Sequence, residues 1–497
     1  MNAMNLNNPR LYREGSWSVG GMRGPLLFVD NARGVGYGEL VTIETRALGG
    51  WTGRWTEGWT AARMGQVLQV QDDLCVIQVF DDTLGLETGN ITVWMERDVV
   101  KIAVGEHLRG QVLNGRGQTM EGKSLYYGAE AFLPVNGLPL NPAARAVPCE
   151  PIETGLSSLD LMNTLMHGQR LALFGGPGLP LGEMAALAAS RALAPGGEDS
   201  LLVVFAAMGV TDREAAFFME SLGRGGILES GVFLLNKADA PPIERLLTPR
   251  VALTVAEYFA FVKGYDVLVV MTDMLRYGEA LRELGEALRQ PPGRGGFPTY
   301  LYSDLAGIYE RAGCVAGHPN HPNHPNNPNT PGRVTQIVAA GTPGDDLAHP
   351  VADATGYIVD GQIVLDRKLH AAGVFPPVDL PASLSRSMNR GIGRGRTFDS
   401  HQVLAEQLHA AYAKAREANR LRLHAGEEGL SDLEKSYVKF GESFEKLFID
   451  QGRGRGDVER RTFAQSEAKA WEVLRQLPAE ELYRLPAALL ERKLKQS

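Results

Sequence analysis

The chain of 497 residues is long enough for about three domains at roughly 100 to 200 residues each. With 44% hydrophobic and 22% charged residues it has the composition of a globular protein, which excludes wholesale disorder. A formal charge of −8, from 50 basic and 58 acidic residues, excludes a protein whose main task is to coat nucleic acid or anionic lipid, since both demand a basic surface. No apolar run is long enough to cross a bilayer, DVLVVM being among the longest clean stretches, so no direct membrane insertion is expected. The N-terminal MNAMNLNNPRLYREG lacks the apolar core of a signal peptide. Cys75, Cys149 and Cys314 are scattered and odd in number, which fits thiols in a reducing compartment rather than a disulfide framework or a C-x-x-C site.

Near the N-terminus PLLFVD, GELVTIET, MGQVLQVQDDLCVIQVF and ITVWMERD alternate apolar and polar residues between Gly, Asn and Asp, the pattern of a small β-barrel over residues 1–105. Within it GGWTGRWTEGWT carries Trp51, Trp55 and Trp59, half of the chain's 6 tryptophans. That hairpin reads either as rings packed on each other and the barrel or as an exposed aromatic docking patch.

Residues 106–395 alternate continuous Val/Leu runs with helical patterns: LALFGGPG then GEMAALAASRALA, LLVVFAAMG then DREAAFFMESLG, DVLVVMTDM then LRYGEALREL. Such strands between helices predict an α/β domain whose mainly parallel sheet is covered on both faces. The Gly-rich turn Gly175, Gly176, Gly178, Pro180, Leu181, Gly182 sits between a strand and a helix, the setting of a phosphate-binding loop. The pattern G-x-x-x-x-G-K-[ST] needs a Lys to neutralise phosphates and a hydroxyl for Mg²⁺. Here Pro180 replaces the second Gly, Leu181 the Lys and Gly182 the Ser/Thr, with Glu183 adding a like charge. The loop therefore has the position of a phosphate cradle without its chemistry. Asp273 ends the run DVLVVMTD where a Mg²⁺-side carboxylate belongs, but an Asp there also caps a helix. After LLVVFAA come Met208, Gly209 and Val210, with no Glu to orient a water.

Further on, His318, His321 and His324 repeat every three residues in GHPNHPNHPNNPNTPGR, 317–333. No thiol or carboxylate accompanies them and proline forbids regular structure, so the segment reads as an extended loop rather than a metal site. Residues 396–497 hold 18 basic and 17 acidic residues but only two prolines and six glycines, which predicts a helical C-terminal domain. Tyr437, Phe440, Phe444 and Phe448 recur at helical steps; Asp399 or Ser400 is placed to cap the first helix and Ser431 the second.

An ordered series of matches now carries a family resemblance: GPLLFVD, GYGELV, LRGQVLNGRG, GLPLNPAARAVP, TGLSSLDLMNTLMHGQRLALFGGPGLPLGEMA, AAMGVTDREAAFFME, PGRGGFPTYLYSDLAGIYERAG and PPVDLPASLSRSMNRGIG. The chain resembles, over about residues 14–485, the B subunit (β chain) of the V-type or archaeal-type rotary ATPases and ATP synthases. The G-L-P form of the loop is that of the noncatalytic subunit. The resemblance implies a RecA-like, P-loop NTPase-like central domain, and a regulatory subunit alternating with catalytic A subunits in a hexameric ring. That ring would surround a central stalk, with peripheral stalks at the N-terminal barrels, on the cytoplasmic side of a membrane. No nucleotide bound by this chain alone is implied, only Mg-ATP or ADP at the interface with A, in a complex that moves H⁺ or Na⁺. The Ser-x-Ser-Arg motif of the family matches Ser383, Leu384, Ser385 and Arg386, so the resemblance makes Arg386 the arginine finger offered in trans. Ser385, Tyr300 and Tyr302 become candidates for the nucleotide interface. Arg390, Arg394 and Arg396 read as surface charges. The tryptophan hairpin and the His-Pro-Asn insertion depart from the family's pattern. An autonomous RecA-like ATPase, such as a protein-export motor, would need the Lys and hydroxyl that Leu181 and Gly182 replace; a nucleic-acid motor would need a basic stripe with stacking aromatics.

Overall fold

The computed structural model describes residues 14–17, 19–30, 32, 34–46, 59–71, 73–81, 83–192, 201–315, 332–452 and 458–494. Trp51, Trp55 and the histidines of the His-Pro-Asn segment lie outside the described residues.

Strands β1 (Glu14–Trp17), β2 (Val19–Arg23), β3 (Leu26–Asp30), β4 (Glu39–Arg46), β5 (Trp59–Gln71), β6 (Leu74–Val79) and β7 (Ile91–Val99) form one antiparallel sheet in the order β1-β7-β4-β5-β6-β3-β2. The order begins on β1 and ends on β2, so the two edge strands are consecutive in the chain. Alternation selects the inside: Ile91, Val93 and Met95 of β7 are buried, while Thr92, Trp94 and Glu96 are half-buried. At Gly65 of β5 a Cβ would stand 2.7 Å from the Gln78 carbonyl oxygen, so only glycine lets β5 and β6 approach this closely. The next strand leaves the barrel. β8 (Lys101–Val104) is buried at three consecutive positions, Ile102, Ala103 and Val104, a pattern that a one-sided barrel strand cannot satisfy. It pairs antiparallel with β10 (Ala131–Pro134), while the intervening β9 (Val112–Leu113) joins the central sheet.

That central sheet adds β11 (Arg170–Gly175), β12 (Leu201–Val210), β13 (Val232–Lys237), β14 (Asp266–Thr272), β15 (Arg333–Gly341), β16 (Gly361–Val364) and β17 (Leu384–Ser385). Its main path runs β17-β16-β11-β15-β14-β12-β13-β9, parallel throughout except that β17 is antiparallel to β16. Successive strand residues go to opposite faces. Leu171, Leu173, Phe205 and Val270 pack toward α1 (Leu181–Arg191) and α2 (Asp212–Arg224) in a core that continues into the C-terminal helices. Ala172, Phe174, Val204 and Val269 pack toward α3 (Pro242–Glu257), α4 (Met274–Ala287), α5 (Leu301–Tyr309) and α6 (Pro350–Ile358), and this second core reaches Leu26, Val76 and Phe80 of the barrel. With both faces covered, the strand ends are the places left for chemistry.

The C-terminal part consists of α7 (His401–Ala425), α8 (Asp432–Ser443) running into a π-helical turn (Phe444–Ile449), α9 (Phe463–Leu474) and α10 (Ala487–Leu494). The expected aromatic stripe is its core: Phe440, Phe444 and Phe448 are fully buried and stack successively at 5.6 and 4.9 Å. Ser431 caps α8 in a capping box with Glu434. Ser400 precedes α7 but makes no capping bond, its hydroxyl lying 3.5 Å from Glu467 Oε1. Among the described residues no helix is long and apolar enough to cross a membrane.

Candidate functional site

The loop between β11 and α1 is closed from within. The Leu179 N–H donates to the Gly176 carbonyl (3.1 Å) and the Leu181 N–H to the Leu179 carbonyl (2.8 Å), while Pro180, at the N-cap, has no N–H. Two of the amides that a phosphate would use are thus engaged and a third is missing. Leu181 is 9% exposed and packs into the core beneath α1. Gly182 faces Phe218, whose Cζ would lie 3.2 Å from an added Cβ. Above the loop, Arg367 grips Asp345 with Nε to Oδ2 and Nη2 to Oδ1, both 2.7 Å, and also donates to the Pro177 carbonyl at 2.9 Å. This pair lies where a side chain on Gly176 would go: a Cβ there would stand 1.7 Å from Asp345 Oδ1.

A cavity of about 440 Å³ opens between the loop, Val210, Glu214, Phe218, Asp273, Arg276, Glu279 and Thr342. Its charged lining consists of Glu214, Asp273 and Glu279 against one cation, Arg276. That cation is spent, because Arg276 donates to both Glu214 oxygens (2.6 and 3.1 Å) and to the Gly209 carbonyl (2.7 Å). Burial pushes the Glu214 carboxyl up, but the Arg276 and Thr211 hydrogen bonds outweigh it and hold it at about 2. Asp273 Oδ1 accepts from Leu275 N (2.9 Å), capping α4, and from Gly341 N (2.8 Å), tying down the end of β15. Burial raises the Asp273 carboxyl above its ordinary range despite these donors. The residues therefore do not fit a Mg²⁺-triphosphate: the lining is acidic, the lysine position is apolar and the strand-end acid is occupied as a structural cap. Among the described residues no group of three His, Cys, Asp or Glu could hold a metal ion.

Arg386 lies at the other end of the sheet. Ser385 on β17 is paired with Gly361 on β16, and Gly361 with Leu171 on β11, so Arg386 is level with Arg170, where β11 begins. The loop starts at Gly175, five residues further along, or ~16 Å at the usual strand rise. Two serines fix this edge. The Ser383 hydroxyl donates to the Asp379 carbonyl (2.7 Å) and accepts from Val364 N (3.0 Å); Ser385 Oγ donates to the Thr164 carbonyl (2.9 Å) and accepts from Gln169 Nε2 (2.8 Å). Arg386 itself is exposed, held by its N–H on the Asp360 carbonyl (3.0 Å) and its Nη1 on the Val359 carbonyl (3.1 Å). Among the described residues no carboxylate pairs with it. Tyr300, half-buried just before α5, and Tyr302, 54% exposed, do not line the loop cavity. Sequence reasoning missed the pairs Glu214–Arg276 and Asp345–Arg367. The Thr211–Glu214 capping spacing was a signal for the first glutamate; nothing local announced the second pair.

A mainly parallel sheet with a glycine loop at a strand's carboxyl end, set between an N-terminal barrel and C-terminal helices, is the architecture of an ATP synthase subunit built around a domain of the nucleotide-binding type. Residues 155–385 match the model of the ATP synthase alpha/beta family nucleotide-binding domain, residues 22–92 its beta-barrel domain, and residues 390–494 the C-terminal domain of V and A type ATP synthase. V-type ATP synthase beta chains from two strains of Thermus thermophilus are each 44% identical over 469 residues, 93% of this chain and 92% of theirs. A solved structure described as a unique ATP synthase subunit, NeqB, from Nanoarcheaum equitans is 34% identical, with a TM-score of 0.68 over 88% of this chain and 100% of that one. The chain belongs to the ATP synthase alpha/beta family, within its V-type beta chains.

Proposed function

We propose that this chain is the noncatalytic, regulatory member of a rotary ATP synthase or ATPase, alternating with catalytic A-type subunits and offering Arg386 in trans to their ATP sites. The observation that carries this reading is the separation of Arg386 from the chain's own loop by the length of β11, together with a loop that carries no charge for phosphate. A guanidinium is always charged and presents a planar fork to phosphate oxygens, so it stabilises charge developing on a transferred phosphoryl group. On this reading Mg-ATP or ADP sits at the interface and is cradled by the neighbour's loop, with Ser385 holding the finger's strand and Tyr300 and Tyr302 as further interface candidates. The three domains, 1–105, 106–395 and 396–497, are assigned to the peripheral stalks, the nucleotide interface and the central stalk. The complex stands on the cytoplasmic side of a membrane and couples ATP turnover to H⁺ or Na⁺ transport.

The test is reconstitution. The isolated chain is expected neither to hydrolyse ATP nor to bind Mg-ATP tightly, and activity is expected only when a catalytic partner is added. Arg386→Ala is expected to assemble and yet to lose most turnover, on the order of 10³-fold or more by analogy with GTPase fingers. Near-parental hydrolysis by assembled Arg386→Ala would refute the finger. Hydrolysis by the chain alone would favour an autonomous motor instead.

A further inference from the structure

Asp360 is the residue that lies opposite Arg386 across the β16–β17 pairing, its carbonyl accepting the Arg386 N–H at 3.0 Å. An exposed arginine beside a carboxylate ordinarily closes into an ion pair, and a finger closed onto its own chain has no fork left for a phosphate. Here the carboxylate is already taken. Arg170 donates three hydrogen bonds to it: its backbone N (3.0 Å) and Nε (3.0 Å) to Oδ2, and Nη2 (2.8 Å) to Oδ1. The Asp360 N–H returns a bond to the Arg170 carbonyl at 2.8 Å. Glu310, the other carboxylate of this corner, is shared between Arg170 Nη1 and Arg145 Nη2. Two arginines and two carboxylates thus balance each other, and Arg386 is the cation left over. The Arg170 side chain is 11% exposed and that of Asp360 28%, so the pair is shielded from solvent while Arg386 faces out.

We infer that Arg170 is a positioning residue that keeps Arg386 available in trans by occupying the Asp360 carboxylate. Without Arg170, the Asp360 carboxylate, on the residue opposite Arg386, is left without its cation and competes for the guanidinium. The inference rests on the reading of Arg386 as a finger, and the experiment separates the two.

In the reconstituted complex with its catalytic partner, Arg170→Met is expected to assemble and to lower kcat about 10- to 100-fold, the scale of a mispositioned catalytic group, with KM for ATP little changed. Adding Asp360→Asn to Arg170→Met removes the competing charge and is expected to restore kcat to within about threefold of the parent, whereas Asp360→Asn alone leaves most activity. On an Arg386→Ala background neither change should slow the residual rate further. If Arg386→Ala is active, the finger reading falls and this inference with it. If Arg386→Ala is silent but Arg170→Met is near parental, or is slow and not rescued by Asp360→Asn, the positioning inference alone is overturned. Should Arg170→Met not assemble, Arg170→Lys keeps the charge but loses the fork. It is expected to show a smaller loss, again relieved by Asp360→Asn, and a loss that is not relieved overturns the inference.

Discussion

Leu181 fills, with a buried side chain, the place where a phosphate loop would project a lysine, so that this position of the loop serves packing. The same economy governs His401. Its Nε2 lies 2.9 Å from the Leu161 carbonyl and its Nδ1 2.9 Å from Thr397 Oγ1, a pairing that a neutral ring completes, with Nε2 donating and Nδ1 accepting. Phe398 stacks on it at 4.6 Å. Burial lowers its pKa from 6.5 to about 4, the Leu161 carbonyl opposing only in part. Because the unfolded chain takes up this proton near 6.5 and the folded chain only near 4, the stability contributed by neutral His401 is complete above pH 6.5 and is lost as pH falls toward 4. The melting temperature is expected to drop across that window, and His401→Gln to flatten the slope. An unchanged slope in the variant would remove His401 from the account. Glu214, held at about 2 against an ordinary 4.5, acts in a lower window: its contribution is lost between pH 4.5 and 2.

Caps and registers decide matters at the scale of elements. In the Ser431 box the Glu434 N–H donates to Ser431 Oγ (3.3 Å) and the Ser431 N–H to Glu434 Oε2 (2.7 Å), which starts α8 at Asp432 and sets the phenylalanine stripe inward. Ser431→Ala is expected to cost about 1 kcal/mol, read as faster amide exchange confined to the first turn of α8; equal protection in parent and variant would show the cap to be dispensable. Elements of this kind were legible beforehand because their signals are local: the Val/Leu runs of β12 and β14, the barrel's alternation, the helical steps of Phe440, Phe444 and Phe448. The departure of β8 from the barrel was not legible, since periodicity reports which faces are buried and not which strand covers them. The site divided in the same way. The missing lysine and hydroxyl could be read from 175–182, whereas Arg367 on Asp345 and Arg170 on Asp360 join residues 22 and 190 positions apart, a distance over which spacing carries no information.

Across the whole molecule, Gln451 stitches the helical part to the sheet. Its Nε2 donates to the Gly155 and Glu459 carbonyls (2.8 and 2.7 Å), its Oε1 accepts from Ser157 N (2.8 Å), and its own N–H donates to the Phe375 carbonyl (2.6 Å). Gln451→Leu would leave the buried Ser157 N–H without its partner, at roughly 1–3 kcal/mol, and would take one donor from the Gly155 carbonyl, which keeps only the Arg461 N–H at 3.1 Å. Calorimetry is expected to show the C-terminal helices loosening in a separate, earlier transition; a single transition at the parental temperature would refute the stitch. The barrel is joined differently, through an apolar seam in which Leu26, Val76 and Phe80 share a core with the sheet.

The placement of Arg386 and the glycine loop at opposite ends of β11 has a consequence for symmetry. If Arg386 serves as the proposed finger, two copies related by a two-fold axis would meet through the same patch, Arg386 edge to Arg386 edge or loop to loop, and neither encounter would make a site. On that reading only head-to-tail order would set a donor end against a receiving end, and only a neighbour with a charged loop would receive. In an alternating closed ring every such chain would then turn one productive and one silent face to its neighbours. Half of the interfaces would be inert by construction, and the ring would have as many working sites as it has copies of this chain.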